Sequence, residues 1–272
     1  MSEREEREQA TGEPYAQLPP ETAEEIESLG AVVAEEPKEE VAPATMKIDL
    51  HCHSEASADC TTPIEKFPER CLERGIAVQA ITDHNEIWGA QKLKAFVEEN
   101  GHSLRVIVGE EVSTAEGEII GLFLKEKIEA GLSPEETVAR IREQGGLVLL
   151  PHGFDPLKRF RLKDEARARI RDEIQIVETF NARISRPTWN RAAVAWAEEH
   201  GCLMSAGSDS HTLADIGEAW VEVPERPIDT PADLLAALDG GVPVGVWTHP
   251  VLAYGYKLWD TFRNRLRSWV GR

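Results

Sequence analysis

The chain has 272 residues, of which 41% are hydrophobic, and its formal net charge at pH 7 is −19. This length allows one large α/β domain with a buried core, and we expect neither a membrane-spanning helix nor a signal peptide because no apolar run is long enough. The four cysteines (Cys52, Cys60, Cys71 and Cys202) show no CxxC spacing, so we expect reduced thiols in a cytoplasmic protein.

The first 45 residues differ in composition from the rest of the chain. They contain thirteen glutamates against the basic residues Arg4, Arg7 and Lys38, and so carry −10 of the −19 charges. Such a segment buries too little apolar surface to offset the entropy lost on ordering. We therefore predict a disordered acidic tail over residues 1–45.

From Met46 onward, apolar runs of strand length alternate with amphipathic helical patterns. The strand candidates are residues 46–53, 77–83, 104–113, 118–124, 146–151, 174–180, 202–208, 218–223 and 242–247. The helix candidates are residues 63–75, 87–100, 133–144, 164–172, 187–200 and 231–239. This order predicts an α/β fold with a largely parallel sheet, either open and doubly wound or closed into a barrel. In both architectures, functional side chains gather at the carboxyl ends of the strands.

Polar residues stand where five of these apolar runs end. Asp49, His51 and His53 follow one another at period two, which places them on one face of a strand. The strand-end histidines and carboxylates that we select as candidate metal ligands are His51, His53, His84, Glu110 or Glu111, His152, Asp209 and His211. Imidazoles and carboxylates together suit zinc, manganese or iron, and a pair of such ions roughly 3.5–4 Å apart can clamp a phosphoryl group.

Other catalytic chemistry has little support in the sequence. The chain contains no P-loop, no GxGxxG dinucleotide fingerprint and no GxSxG nucleophile elbow. Ser208 and Ser210 flank Asp209, but no third residue marks either of them as a nucleophile.

The motif order resembles the polymerase and histidinol phosphatase (PHP) superfamily of metallophosphoesterases. The motifs are DLHCH at 49–53, TDH at 82–84, GEE at 109–111, PH at 151–152 and SDSH at 208–211. The resemblance extends from about Met46 to His249. It implies a distorted (β/α)7 barrel, related to the TIM barrel, rather than an open sheet.

The resemblance also implies how the ligands divide among metal sites. One site would take His51, His53, Glu111 and Asp209, and a second would share Glu111 as a bridge and add His152. A third would take Asp59, His84 and His211. Asp49 and Asp83 resemble the outer groups that orient ligand imidazoles.

One position departs from the family pattern. Many members place a further histidine between the bridging glutamate and the strand-end histidine, and this interval contains none here. Glu118 is the candidate replacement; the alternative is that it is a solvated strand residue.

We expect two or three divalent ions per chain (Mn²⁺, Zn²⁺ or Fe²⁺) and hydrolysis of a phosphate ester by a metal-activated hydroxide. His211 or His84 would assist proton transfer. Arg183, Arg159 and Lys158 are candidates for phosphate binding. The resemblance suggests a nucleotide, nucleoside bisphosphate or short oligonucleotide as substrate, without a stable nucleic-acid complex, and the oligomeric state is left open.

Two other functions remain alternatives. The chain could be an amidohydrolase-type C–N hydrolase, although no strand-end lysine is present, or a noncatalytic metal-stabilised scaffold that binds a nucleotide or a partner. Residues 250–272 combine Trp259, Phe262 and Trp269 with several arginines. We predict a C-terminal helix packed on or near the barrel, the alternative being contact with nucleic acid or an anionic membrane.

Overall fold

The computed structural model describes residues 44–247 and residue 249. The first strand begins at Thr45, one residue before the predicted boundary of the folded region. The acidic tail and the C-terminal helix over 250–272 lie outside the described residues, apart from residues 44 and 45, and both stay predictions.

Within the part of the chain that the structure describes, nine strands form one sheet. They are β1 (Thr45–Asp49), β2 (Ile76–Ile81), β3 (Arg105–Thr114), β4 (Gly117–Leu122), β5 (Leu147–Leu150), β6 (Ile176–Asn181), β7 (Leu203–Gly207), β8 (Ala219–Pro224) and β9 (Val242–Gly245). Each coincides with one of the predicted strands, although β1 ends at Asp49 and leaves His51 and His53 just beyond it.

Six helices of six or more residues connect the strands. They are α1 (Phe67–Arg74), α2 (Trp88–Asn100), α3 (Pro134–Glu143), α4 (Asp164–Arg169), α5 (Pro187–His200) and α6 (Pro231–Leu238). Short 3₁₀ turns lie at Ile64–Lys66 and Arg171–Glu173. Ser133 caps α3 through a reciprocal capping box with Glu136, as expected for a Ser-Pro-Glu-Glu start.

The sheet has the order β7-β6-β5-β4-β3-β2-β1-β8-β9 and curls until its ends meet. Beyond β1 the chain pairs with the end of β7: the Leu50 amide donates to the Ala206 carbonyl over 3.2 Å, and Cys52 bridges Ser210 in a parallel arrangement. The result is a nearly closed, barrel-like sheet. The expected α/β barrel is thereby confirmed, and the open doubly wound alternative is wrong.

The sheet is less parallel than predicted. β4 pairs antiparallel with both β3 and β5, and β8 pairs antiparallel with both β1 and β9. β3 and β4 are joined by two residues only, Ala115 and Glu116, which cannot make the crossover that parallel neighbours need. The start of β4 therefore lies at the edge where β3 and β5 end.

The core is divided between the inside of the barrel and the helical layer around it. An inner cluster takes residues from around the sheet, including Ile48, Val78, Ile120 and Leu149, together with residues of α6. Two further clusters pack α1 with α2, and α3 with α5, against the outer face. This leaves the carboxyl edge of the barrel free for polar side chains.

Two further features can be stated for the described residues. None of their helices has the length and apolar character needed to cross a lipid bilayer. All four cysteines lie within these residues and none forms a disulfide.

Candidate metal centre

The ligand side chains converge because three loops interleave at the carboxyl edge of the barrel. The amide of Asp209 donates to the His51 carbonyl (2.8 Å), and the amide of His53 donates to the Ser210 carbonyl (3.0 Å). His84 lies in a parallel bridge with Glu111. Chain segments far apart in sequence thus share one rim.

The backbone at this rim takes a conformation that side chains rarely adopt. His152 has a φ of 28° and Asp209 a φ of 48°, and they are two of the four non-glycine residues with positive φ among those described. Positive φ in non-glycine residues concentrates at functional sites, because packing must hold the strained form.

Four predicted ligands form the innermost group. The Nε2 atoms of His51 and His53 are 3.2 Å apart, and each lies 3.4 Å from Glu111 Oε2. Asp209 Oδ1 is 3.9 Å from the nitrogen of His51 and 3.6 Å from that of His53. All four residues are almost completely buried.

Glu111 is the centre of the arrangement. Its Oε1 lies 3.0 Å from His152 Nε2, and its buried Oε2 has no hydrogen-bond partner although it lies 3.1 Å from His84 Nδ1. Buried carboxylate oxygens are normally hydrogen-bonded. An unpartnered oxygen facing several imidazole nitrogens fits a bridging ligand between cations.

The third predicted set lies at the mouth of the site. His211 Nε2 is 3.1 Å from Asp59 Oδ2, and His84 Nε2 is 3.9 Å from Asp59 Oδ1. The ring of His53 lies between those of His84 and His211, with centroids 4.4 and 4.3 Å away. Asp59 is half exposed, whereas His211 is buried.

Glu118 points into the site rather than into solvent. Its Oε1 is 3.6 Å from His84 Nδ1 and its Oε2 is 3.8 Å from His152 Nε2. Burial, together with the charges of Glu111 and Asp209, raises the pKa of Glu118 to about 9 without ions. A carboxyl crowded by other carboxylates is a natural partner for an added cation.

The site electrostatics favour the metal-binding forms of four predicted ligands but not of His51. Burial opposes the charged form of His51, but the charges of Glu178, Glu111 and Asp209 raise its pKa well above the ordinary value. Burial lowers the pKa of His53, His84 and His211, and so favours the neutral imidazoles that bind metal. Burial also opposes the charge on Asp209, but Lys158 and His51 hold the pKa of that carboxyl well below its ordinary value.

Three predicted phosphate-binding residues face the same space. A cavity of about 210 Å³ opens over Glu111 and is also lined by Lys158, Arg159 and Arg183. The ammonium group of Lys158 pairs with Asp209 Oδ2, and the guanidinium of Arg183 contacts His211 Nδ1 and donates to the Asp209 carbonyl. Basic side chains at the rim of the cavity therefore lie beside the carboxylates of Glu111 and Asp209.

Asp49 and Asp83 support the ligands without touching an imidazole. Asp49 accepts hydrogen bonds from the amides of His51 (3.2 Å) and Ser208 (3.1 Å), so it fixes backbone on both sides of the site. Asp83 accepts from Ser57 Oγ (2.9 Å), which in turn lies 3.1 Å from His53 Nδ1.

Sequence reasoning missed Glu178, which connects two ligands. Its Oε1 lies 2.9 Å from His51 Nδ1, and its Oε2 accepts from the amide of His152 (2.7 Å). Glu178 is buried in the middle of β6. It lies two residues before the end of the strand predicted over residues 174–180, so the pattern of a carboxylate near a strand end was present, but only the arginines that follow this strand were considered as functional residues.

The donor set fits divalent ions. Groups of three side chains, such as His51 with His53 and Glu111, or His84 with Glu111 and Glu118, place their ligand atoms within 4.8 Å of one another. They offer nitrogen and carboxylate oxygen, and Glu178 and Ser57 orient two of the imidazoles from behind. The fold and site define an α/β barrel with a candidate metal centre at the carboxyl edge of its sheet.

Comparison with known proteins places the chain within this class. The PHP domain model matches residues 49–182, and the PHP-associated model matches residues 187–243. Two uncharacterized proteins of Methanocaldococcus jannaschii are 38% and 45% identical over 198 and 148 residues, covering 70% and 50% of this chain and 75% and 82% of theirs. The chain belongs to the PHP family, and the resemblance inferred from its motifs is confirmed.

A further match is to a 5′-3′ exoribonuclease of Escherichia coli, 36% identical over 78 residues, covering 27% of this chain and 26% of that protein. Among solved structures, a two-domain Bacteroides vulgatus protein containing a PHP-like metal-dependent phosphoesterase superposes with a TM-score of 0.59 at 17% identity, covering 75% and 66% of the two chains. An amidohydrolase of Chromobacterium violaceum superposes with a TM-score of 0.53 at 18% identity, covering 73% and 97%. These structural likenesses concern the fold alone.

Proposed function

We propose that this protein hydrolyses a phosphate ester of a nucleotide, a nucleoside bisphosphate or a short oligonucleotide, in a reaction that depends on two or three divalent ions such as Mn²⁺, Zn²⁺ or Fe²⁺. The observation that carries the proposal is the unpartnered oxygen of Glu111, which lies beneath a cavity lined by the basic side chains of Lys158, Arg159 and Arg183. Membership of the PHP family and the exoribonuclease match support the substrate class.

The ligand assignment follows the contacts. His51, His53, Glu111 and Asp209 would hold one ion; Glu111 and His152, with Glu118, would hold a second; and Asp59, His84 and His211 would hold a third. When bound, the ions would supply Lewis-acid chemistry, lowering the pKa of water and stabilising negative charge on phosphoryl oxygens.

The protein's own cations bind and orient the phosphate. Arg183 can offer a planar fork to two phosphate oxygens, and Lys158 and Arg159 line the same cavity. These three side chains can complement the negative charge of a phosphate, whereas a neutral amide group offers them no such charge. This favours a phosphate ester over a C–N bond.

A proton must reach the leaving oxygen as the ester bond breaks. His84 and His211 line the cavity and have lowered pKa values, chiefly because burial disfavours their charged forms. His84 is the more exposed of the two, with a side chain 28% accessible against 7% for His211. Either residue lies where it can shuttle a proton between cavity and solvent, but only while its imidazole does not hold the third ion, because a metal-bound imidazole is a poor proton donor.

The test is a substrate panel on chelated and reloaded protein. Phosphomonoesters, nucleoside bisphosphates, short oligonucleotides and amides are assayed with Mn²⁺, Zn²⁺ or Fe²⁺. We expect phosphate release that disappears on chelation and returns on reloading. Hydrolysis of amides alone would establish the C–N hydrolase, and metal-loaded protein that hydrolyses nothing but binds nucleotide would establish the scaffold.

A matched pair of arginine variants tests the phosphate-binding role. Arg183→Ala should lower kcat/KM by about 100-fold, the typical loss when a charge-stabilising donor is removed. Arg191 is exposed on α5, and Arg191→Ala should leave kcat/KM unchanged. Equal activity of the two variants would remove Arg183 from the site.

A further inference from the structure

Phe160 differs in chemistry from the other residues that line the metal-centre cavity. Of the eleven that the structure describes there, ten carry an ionisable side chain and Phe160 is the exception. Its side chain is 53% exposed. Single exposed apolar residues are common on protein surfaces, but an aromatic ring on the wall of a charged cavity faces whatever the cavity admits.

The space beside Phe160 is larger than the metal-centre cavity itself. A second cavity of about 440 Å³ shares Glu118, Lys158, Arg159 and Phe160 with the first one. Sites for small molecules typically enclose about 300–1,000 Å³. The 210 Å³ over the metal ligands is small for a whole nucleotide, and a substrate whose phosphate lies there has room to extend past Phe160 into the second cavity.

The backbone presents Phe160 in a fixed position. The Phe160 carbonyl accepts a hydrogen bond from the Glu118 amide (2.8 Å), and the Lys163 amide donates to the Glu116 carbonyl (2.9 Å). Gly117 has a φ of 128°, and a Cβ there would overlap the carbonyl of Arg161. The segment carrying Phe160 is therefore seated against the β3–β4 turn, which lowers the entropy lost when a ligand contacts the ring.

Cations flank the ring. The Arg159 guanidinium lies 5.0 Å from the Phe160 ring centroid, and Lys158, Arg161 and Lys163 line the same second cavity. An aromatic ring beside cations is the arrangement with which proteins bind single-stranded nucleic acid, the base stacking on the ring while the cations contact phosphate.

We propose that Phe160 is the platform on which the nucleobase of the substrate stacks while the scissile phosphate lies at the metal centre. This inference rests on the proposed function and narrows it to substrates that carry a base. Phe160 is a specificity-determining residue, because it contacts the base and takes no part in breaking the ester bond.

The kinetic test compares substrates with and without a base. Mn²⁺-loaded wild type and Phe160→Ala are assayed on adenosine 5′-monophosphate, adenosine 3′,5′-bisphosphate and ribose 5-phosphate. Stacking predicts that Phe160→Ala lowers kcat/KM for the adenosine nucleotides by roughly 10- to 100-fold, at least about tenfold more than for ribose 5-phosphate. Phe160→Trp should restore the nucleotide activity.

Leu157 provides the matched control. It lies on the same segment and is 72% exposed, but it does not line either cavity. Leu157→Ala should leave kcat/KM unchanged for all three substrates. Equal losses for nucleotides and ribose 5-phosphate in Phe160→Ala would overturn the stacking inference while the proposed function stands.

A binding measurement separates the stacking inference from the proposed function. The 5′-monophosphate of 2-aminopurine riboside, whose fluorescence falls on stacking, is titrated with chelated wild type and Phe160→Ala. We expect quenching that the variant loses. If no ester is hydrolysed but this difference persists, the proposed function is wrong and the stacking inference stands; wild type that does not quench the probe overturns the inference.

Discussion

Glu178 Oε1 lies 2.9 Å from His51 Nδ1, the ring nitrogen that faces away from the metal centre. The contact fixes the ring and keeps Nε2 directed at Glu111 and Asp209. The other oxygen of Glu178 holds the amide of His152. One buried carboxylate thus positions two ligands on different strands.

Replacing Glu178 should weaken metal binding without removing a ligand. Glu178→Gln should reduce metal affinity by about 10- to 100-fold, the usual effect of losing an orienting partner. Competition against a chromophoric chelator measures this. Glu173→Gln is the matched control, because Glu173 is exposed and pairs with Arg142 on the outer surface. Equal affinities in the two variants would contradict the positioning role.

Glu118→Ala should lower the number of ions retained per chain, because the carboxyl lies within 3.8 Å of His84 and His152 nitrogens. Elemental analysis after reloading and desalting gives the stoichiometry. Glu116 lies on the same turn and pairs with Arg169 instead, so Glu116→Ala should retain the wild-type number. Unchanged metal content in Glu118→Ala would remove Glu118 from the ligand set.

Metal removal should lower thermal stability. An ion at 100 times its Kd stabilises the folded state by about 2.7 kcal/mol, and 1 kcal/mol shifts Tm by about 2–4 °C in a protein of this size. Chelation should therefore lower the wild-type Tm by roughly 5–10 °C. In Glu111→Gln the shift should largely disappear, because the central bridging carboxylate is lost. If the Tm of the wild type is the same with and without chelator, the ions contribute nothing to its stability.

Glu110 should make stability fall as pH rises. Burial raises its pKa to about 7 from an ordinary 4.5, while its Oε2 accepts from the Ile128 amide. Between these two values the folded state holds a proton that the unfolded state releases, so stability declines through this window and stays reduced above pH 7. Glu110→Gln keeps an acceptor for Ile128 and removes the titration.

The Glu110→Gln variant should therefore melt close to wild type at pH 4.5 and higher than wild type at pH 8. Since one pKa unit is worth about 1.4 kcal/mol, the shift of the Glu110 pKa from 4.5 to about 7 corresponds to a difference of about 3 kcal/mol at pH 8. Thermal unfolding at both pH values provides the comparison. A Tm difference that does not grow with pH would contradict the raised pKa.

Asp155 connects the segment that carries Lys158 and Phe160 with the one that carries Arg183. It is buried, and its carboxylate accepts from the Leu157 amide (2.9 Å) and the Ser185 amide (2.7 Å). Asp155→Ala should raise KM for nucleotides by about tenfold and leave metal content unchanged, because substrate-positioning cations lose their anchor. A fall in metal content with KM unchanged would place its role elsewhere.

The sequence predicted which side chains of the candidate metal centre lie close together, and it did so for one physical reason. Parallel strands bring their carboxyl ends to one edge, so a strand-end histidine such as His152 can be placed near His51 without knowing any contact. Glu111 could be separated from Glu110 only through the family spacing. The structure gives the reason, since Glu110 turns away to bind the Ile128 amide.

The features of the site that the sequence did not reveal depend on contacts between residues that are far apart in the chain. Glu178 and His51 are 127 positions apart, and the anchoring of Ser185 by Asp155 follows from where two loops happen to meet. The antiparallel course of β4 was also missed, because apolar periodicity gives a strand's existence but not its direction. The available signal was the short interval between the predicted strands 104–113 and 118–124, because four residues are too few for a parallel crossover.

The reversed direction of β4 has a chemical consequence. In a uniformly parallel barrel, a residue at the start of a strand would lie at the opposite end of the molecule, yet Glu118, the second residue of β4, reaches the candidate metal ligands. The tight turn between β3 and β4 therefore places the first residues of one strand at a rim that the last residues of other strands form. A one-residue slip in the pairing of β4 with β3 would turn the Glu118 side chain to the outer face and remove its carboxylate from the site.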